Sequence, residues 1–554
     1  MSLRRDGSRL CALALLVPLW AQAQPLPDAG QSLRELERPA PHLPPPAPLE
    51  LHLPAAAGAE AAEEAAGPSL FVRRFRITGS HAFSEEALRA LLSDLEGRAL
   101  RLGQLQAAAE RLTAHYRAHG YLLARAYLPA QEVEDGVVEI AVLEGRYGAI
   151  HLNDRLGLGG FALAPLAALR PGQIAQAERL ERSLLLLADT PGVEVKATLR
   201  PGAAVGTTDL AVEVLPAPRV SGALHLENHG NRYTGAWSLG GALNLSNPLR
   251  LGDALELRLL DSEKDRSYLR GAYHLPVGPW ATRLGVAYAH LDYALGEEFA
   301  DLNAAGRARV TSAYLRQPLL RSRALNLSIT LQHDRKKLRD EIGLFDSRND
   351  KRMRLWSVTL AGDGRDGVGG GGLTSFSLTW SEGELALDSP FERLQDRLTA
   401  RTAGHFTRLN AALLRQQRLA GRFSLRTRVE AQWSTHNLDS SEKLVLGGPY
   451  GVRAYPQGEG TGDRGVLVNV DLNYALAGGW QAGAFADYGR VRLHARPWAG
   501  EEATARELSG AGLTLGWAGS GWRVEGSAAW RLKERPRQEP DRRPRLWVQV
   551  VRRF

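Results

Sequence analysis

The sequence predicts a mainly β protein in which two small α+β modules precede a sixteen-stranded antiparallel β-barrel that crosses a membrane. Three observations lead there. From Arg219 to Phe554 apolar and polar residues alternate with period two, and helical periodicity is almost absent. Before Arg219 the texture is strand, helix, helix, strand, strand, followed by a looser second copy. Past the N-terminus nothing approaches the roughly eighteen continuous apolar residues of a membrane-spanning helix, so any crossing must be made by strands.

The chain of 554 residues is too long for one ordinary domain, and length alone suggests about three or four. Arg4, Arg5 and Arg9 precede the apolar run Leu10 to Trp20, and Ala21-Gln22-Ala23 follows it. Basic, apolar and small-residue regions in that order predict a secretory signal peptide over residues 1–23, cleaved after Ala23. The single cysteine, Cys11, falls inside it, so the mature chain is expected to use neither a disulfide nor thiol chemistry. The formal charge of +8 drops to roughly +6 without this segment, a weak bias that gives no reason to invoke nucleic acid.

Residues 24–68 are rich in Pro, Ala and Glu and read as a linker that cannot pack a core. Within it, Asp28 to Arg38 could form a short helix with Leu33 and Leu36 on one face, the alternative being a leader without structure. The first module, 69–146, begins with the alternating run Phe71 to Ile77, and Ser84-Glu85-Glu86-Ala87 opens a helix with a cap and acidic first turn. A second helix from Leu102 to His119 stops at Gly120, and Tyr121–Leu128 and Gly136–Leu143 read as strands. The second module, 147–217, has its best helix at Ile174–Ala188 and its last strand at Asp209–Val214.

In the barrel region, 218–554, Trp237, Leu239, Gly241, Leu243 and Leu245 share one face; Leu325, Leu327, Ile329 and Leu331 do the same, as do Val466, Val468, Val470, Leu472 and Tyr474. Strands of about nine to eleven residues, one face oily and one polar, suit a barrel with lipid outside and water inside. About sixteen such runs fit, leaving about 21 residues for each strand with its connection. The runs are least distinct at Asp363–Gly372 and Glu382–Arg401, and Arg552 interrupts the final alternation of Leu546, Val548, Val550 and Phe554.

Chemical motifs are scarce. His225, Glu227 and His229 alternate on a strand instead of taking the helical His-Glu-x-x-His arrangement of zinc proteases, so they read as polar lining. Gly157-Leu-Gly-Gly160 and Gly369–Gly372 lack the lysine and hydroxyl residue of a nucleotide loop and read as turns. With no nucleophile elbow either, no catalytic residue, metal or cofactor is expected, and the chain does not read as an enzyme.

The most informative stretch is Gly447 to Gly465, with seven glycines and a single arginine at its tip, Arg453. A glycine-dense loop can fold back into a confined space, and an arginine at its turn can seek a carboxylate there. The tip Gly451-Val452-Arg453-Ala454-Tyr455 resembles the long loop of the two-partner secretion transporters, the haemolysin secretion/activation proteins, whose pattern is Val-Arg-Gly-Tyr. Ala454 departs from it. The strand Ala484 to Arg490 carries the family's Phe-x-Asp motif as Phe485 and Asp487, with parity placing both on one face.

That resemblance implies the rest of the expectation. The modules would be periplasmic POTRA domains, and the loop, residues 435–465, would plug the lumen with Arg453 held by Asp487. The leader helix would also occupy the lumen, and Phe554 would complete a C-terminal signature read by the barrel-assembly machinery. The protein would sit among the lipids of the outer membrane of a Gram-negative bacterium and export one large partner exoprotein, haemolysin- or adhesin-like. A barrel-assembly factor of the same superfamily and a passive porin are the alternatives; the former usually carries more POTRA modules, and the latter needs neither modules nor an Arg453 loop.

Overall fold

The computed structural model describes residues 27–38, 50–52, 68–498 and 505–554. The expected signal peptide with Cys11, and most of the Pro/Ala-rich linker, lie outside the described residues.

In the first module the strand Arg74–Thr78 runs parallel to Val137–Leu143, which pairs antiparallel with Arg125–Tyr127. Helices α2 (Glu85–Ala90) and α3 (Leu102–Ala118) cover this sheet, and Phe75, Leu88, Leu112, Tyr116 and Ile140 are buried between the layers. Ser84 caps α2 by accepting the Ala87 N–H at 3.2 Å. Two expected strands are shorter than the alternation suggests. The run Phe71–Ile77 breaks at Arg73, where the N–H groups of Arg73 and Arg74 both donate to Gly136 O. The run Tyr121–Leu128 reduces to Arg125–Tyr127, because Tyr121 and Ala124 spend their N–H groups on turns after Gly120, whose φ is +86°.

The second module stacks α4 (Ala177–Ala188) on a sheet ordered Glu50–His52, Val193–Pro201, Thr207–Pro216 and Arg146–Asp154. Its first helix is reduced to a single 3₁₀ turn, Ala164–Ala168. The Asp154 carboxylate captures the N–H groups of Leu156, Gly157 and Leu158, so the chain leaves the first strand as a turn. This module is bolted to the barrel: Arg321 meets Asp189 with two hydrogen bonds of 2.7 Å, Arg283 donates to Asp189 O, and the Arg323 N–H donates to Glu181.

Sixteen antiparallel strands close into a barrel. In chain order they are β1 (Val220–Glu227), β2 (Ser238–Ser246), β3 (Ala254–Ser262), β4 (Arg266–Val277), β5 (Thr282–Ala294), β6 (Ala304–Arg321), β7 (Leu325–Ile342) and β8 (Ser347–Asp366). They continue with β9 (Gly372–Leu387), β10 (Gly404–Arg418), β11 (Phe423–Ser434), β12 (Arg464–Ala475), β13 (Trp480–Arg492), β14 (Ala505–Gly519), β15 (Trp522–Arg531) and β16 (Arg545–Arg553). The ring shuts where β16 pairs with β1, and Phe554 continues that ladder by exchanging both backbone bonds with Gly222. Closure leaves no unpaired edge facing lipid.

Strand length departs from the expected nine to eleven residues. β6 to β9 run for 18, 18, 20 and 16 residues. Their far ends carry charged residues such as Arg335, Lys337, Arg348 and Arg352, so the ladder continues as a polar wall beyond any apolar band. The indistinct stretch Glu382–Arg401 resolves into the end of β9 and a short helix, α5 (Pro390–Leu398), which the period-two reading missed. Arg552 breaks the alternation harmlessly. Its guanidinium lies over the Trp522 ring at 5.4 Å and donates to Ser520 O in the β14–β15 turn, at the rim where a long cationic side chain can reach water.

Candidate functional site

Two segments fill the lumen. The loop between β11 and β12 does not project from the rim but folds back inside, stiffened by a ribbon pairing Leu444–Val445 with Thr461–Gly462. Beside it lies α1 (Ala29–Glu37), the leader helix, capped by Asp28, which accepts the Gln31 N–H at 2.8 Å. Leu33 is buried among Tyr233, Tyr268, Leu291 and Tyr293 of the inner wall.

The tip of the loop is held from every side. The guanidinium of Arg453 donates through Nε and Nη2 to the two oxygens of Asp487, at 2.9 and 2.7 Å, and its backbone N–H adds a third bond at 3.0 Å. Nη1 donates to Asp471 on β12 at 2.7 Å. The planar cation stacks on the Phe485 ring, with Cζ 3.5 Å from the centroid. Asn469 joins the two partners, donating to Asp487 Oδ1 and to Gly451 O, while Trp547 Nε1 donates to Arg453 O at 2.7 Å. The Asp487 side chain is 0% exposed and that of Arg453 12%, so the pair exchanges its hydration for these bonds. Burial alone would lower the guanidinium pKa; Asp487, then Asp471, outweigh it and hold the group above its ordinary value.

Strand parity explains this convergence. On β13 every second residue from Phe485 points inward, and register sets Asn469 opposite Asp487 and Asp471 opposite Phe485. The family resemblance implied the pairing of Arg453 with Asp487; Asp471, Asn469 and Trp547 were not foreseen. The signal for the first two was present, since they share the inward face of the strand after the loop. Trp547 lies about a hundred residues away and comes into reach only when β16 closes the ring.

Val452, Ala454 and Tyr455 are fully or nearly fully buried, and Tyr455 Oη donates to Glu534 O of the β15–β16 loop at 2.8 Å. Ala454 keeps a negative φ, and its methyl group fills space left by Gly510. A Cβ at Gly510 would fall 2.6 Å from that of Ala454. We therefore expect Gly510→Ala to loosen the tip, at a cost of about 1–3 kcal/mol for overpacking. Adding Ala454→Gly should restore it. Protease accessibility of the loop in the folded barrel measures both; Ala454→Gly alone should change little.

A second anchor holds the loop's shoulder. Glu442 is fully buried and receives Lys336 Nζ at 2.6 Å and Arg408, while Gln432 donates to its backbone oxygen. Burial would raise this carboxyl's pKa, but Arg408 and Lys336 overcome it and pull it down to about 2. The helix is tied to the same loop: Ser440 Oγ donates to Asp28 at 2.7 Å, Arg38 donates to Val445 O at 3.3 Å, and Arg38 also reaches Glu430 at 3.0 Å. Loop and helix therefore form one plug, held to the wall by these ion pairs and hydrogen bonds and by two apolar patches, Leu33 against Tyr268, Leu291 and Tyr293, and Leu446, Val452 and Tyr455 against Leu467, Val491 and Leu508.

Of the other residues singled out in the sequence, His229 packs edge-on against Tyr450 of the loop and against Trp547, with ring centroids 5.4 and 5.9 Å away. His229 lies 3.3 Å from Glu227, which accepts from Gln549, and among the described residues no group of three His, Cys, Asp or Glu is placed to hold a metal.

A closed sixteen-stranded barrel, a sheet-and-helix module on its N-terminal side and an arginine-tipped loop locked in the lumen define an outer-membrane transporter of the two-partner secretion class. The chain belongs to the haemolysin secretion/activation protein family ShlB/FhaC/HecB, whose model matches residues 206–519, and a POTRA domain of the ShlB type matches residues 70–145. It is similar to the heme/hemopexin transporter protein HuxB of Haemophilus influenzae, 29% identical over 448 residues that cover 78% of this chain and 79% of that one. It is also similar to the outer membrane transporter CdiB of Escherichia coli O6:K15:H31, 25% identical over 467 residues covering 82% and 76%. In fold it resembles the solved structure of CdiB from Escherichia coli, with a TM-score of 0.70 at 20% identity over 90% of this chain and 93% of that one. The protein is thus a transporter of the outer membrane that exports a partner exoprotein, with its POTRA region in the periplasm.

Proposed function

We propose that this transporter takes its exoprotein from the periplasm unfolded, through modules spanning residues 69–146 and 147–217, and passes it through the lumen of the 218–554 barrel. The loop 435–465, with Gly451 to Tyr455 at its tip and Phe485 and Asp487 as its seat, acts as the lock, and the helix of the 24–68 segment shares in it. Residues 1–23 direct the chain to the periplasm and are removed. The observation that carries this reading is the seat of the loop tip: Arg453 is held by ion pairs and hydrogen bonds to Asp487 and Asp471, which a passing chain can exchange. No nucleotide is needed, because folding of a large β-helical adhesin or cytolysin outside the cell supplies the direction.

Capture follows from exposed sheet edges. Arg125–Tyr127 ends the first module's sheet, with its central N–H taken by Thr113 Oγ1, and Arg146–Asp154 ends the second's, where an extended chain can add a strand. A photo-crosslinker placed at Tyr127 or Leu152 in the intact transporter should trap the N-terminal region of the exoprotein when export is stalled. An export-competent transporter that yields no adduct at either edge would remove the modules from the pathway of capture.

The barrel-assembly machinery and the membrane lipids complete the set of proposed partners. Phe554 follows the last strand, and its ring occupies the space left by Gly222 on β1. Deleting Phe554 is expected to reduce the heat-modifiable barrel in the outer membrane several-fold, read by electrophoretic mobility with and without boiling. Outward-facing aromatic residues form two girdles, Trp280, Trp480 and Trp522 near the module side and Tyr288, Trp356 and Trp380 near the far side, marking the limits of the lipid contact.

A further inference from the structure

Beyond the far girdle the outer wall of β6, β7 and β8 carries a concentration of positive charge that secretion does not explain. Strand register places Arg309 directly opposite Lys337, and Lys337 directly opposite Arg352, so three cations stand side by side on one rung of three adjacent strands. On the neighbouring rung Arg335 faces Arg354. Like charges directly opposite across a ladder repel, and a sheet with no use for them loses stability.

Some nearby cations are neutralised within the wall. Arg339 and Arg348 each bond to Asp350 at 2.7 Å, Arg307 bonds to Asp292 and Arg352 to Asp388. Arg309, Arg335, Lys337 and Arg354 are exposed and make no ion pair among the described residues, even though Glu384 stands across the register from Arg354. A depression of about 290 Å³ lies against Arg309, Lys337 and Arg352.

Height identifies what would neutralise them. On β8, Arg354 is two residues and Arg352 four residues beyond Trp356, and His290 and Arg309 lie on the rung next above Tyr288 and Thr311. At about 3.3 Å per residue and a tilt of about 45°, two to four residues rise roughly 5 to 9 Å along the membrane normal. The headgroup layer beyond the hydrocarbon is about 5 to 8 Å thick on each side, so these cations stand at headgroup level on the lipid-facing surface.

The geometry points to a binding surface for the phosphorylated glycolipid of the outer leaflet, in which phosphate groups on one headgroup bridge Arg309, Arg335, Lys337 and Arg354. This deepens the lipid contact proposed above and rests on it. Guanidinium groups suit the role because they meet phosphate oxygens in pairs and keep their charge at any physiological pH. The lipid would brace the long, polar far ends of β6 to β8.

The test uses the full chain in nanodiscs of zwitterionic phospholipid, titrated with diphosphoryl lipid A, with its dephosphorylated counterpart and with inorganic phosphate. The quadruple variant Arg309→Gln, Arg335→Gln, Lys337→Gln, Arg354→Gln is compared with a control carrying Arg523→Gln and Arg552→Gln on the opposite rim. Heat-modifiable insertion of all three proteins establishes the lipid-facing barrel independently, and its failure would count against that reading instead. Diphosphoryl lipid A should bind the parent and the control equally and the quadruple variant roughly several hundredfold more weakly, each of the four cations near a phosphate surface being worth roughly fivefold. Equal affinity of parent and quadruple variant would overturn the proposal, as would equal affinity for the dephosphorylated lipid. Comparable saturation by inorganic phosphate would make this a free-anion site, and retention of the exoprotein by the patch without lipid selectivity would make it a protein surface; either result rejects the lipid assignment.

Discussion

Arg453→Ala and Asp487→Ala are each expected to reduce exoprotein secretion by on the order of tenfold or more while the barrel remains in the membrane at normal amounts. Arg453→Ala strands the Asp487 and Asp471 carboxylates, and Asp487→Ala leaves Arg453 with Asp471 alone, in a site with almost no water, where breaking a buried pair typically costs about 3–5 kcal/mol. Asp487 accepts from Arg453 Nε, Nη2 and N and from Asn469, so its loss frees the whole tip. Asp471 takes a single bond from Nη1, and Asp471→Ala should therefore do less. The Arg453→Ala, Asp487→Ala double variant should be little worse than either single, the behaviour of two residues acting through one interaction. Secretion measured in culture supernatants against barrel levels in the outer membrane decides the matter. Additive losses would show that the two side chains work separately and that the lock proposed here is wrong.

Removing residues 69–216 is expected to abolish export while leaving an inserted, heat-modifiable barrel. The reasons are structural on both sides. Every strand of the ring lies between Val220 and Arg553, and the ring closes through its own β16–β1 ladder. The truncation severs the Asp189–Arg321 pair and its neighbouring bonds, which tie the second module to the barrel rim but contribute no strand to the ring. Secretion at the parental rate from such a barrel would show that the exoprotein reaches the lumen without the modules. Loss of the barrel itself would show that the rim contacts are needed for assembly.

Much of this architecture was legible along the chain because a strand's two faces are written in alternate residues. Parity set Phe485 and Asp487 on one face, which the Phe-x-Asp resemblance turned inward, and set Leu239, Leu325 and Leu331 on the oily faces that meet lipid. The composition of Gly447–Gly465 marked a loop able to enter a confined space, and the periodicity of Leu102–His119 marked the long helix of the first module. These are local properties: each depends on neighbours within a few residues, and burial on one side is enough to impose them. Strand ends were harder to read, because the paired backbone of β6 to β9 continues into a polar wall where no apolar residue records it. What only the tertiary structure decided was which inward side chains meet. Asp471 and Asn469 stand beside Asp487 because β12 and β13 pair in one register, and Trp547 reaches Arg453 because the last strand returns to the first. Glu442 finds Lys336 and Arg408 across the lumen, and Ala454 fits because Gly510 leaves room. Alternation tells each residue which side of the wall it faces, but barrel closure and strand stagger set the height at which it stands, and these are properties of the whole ring.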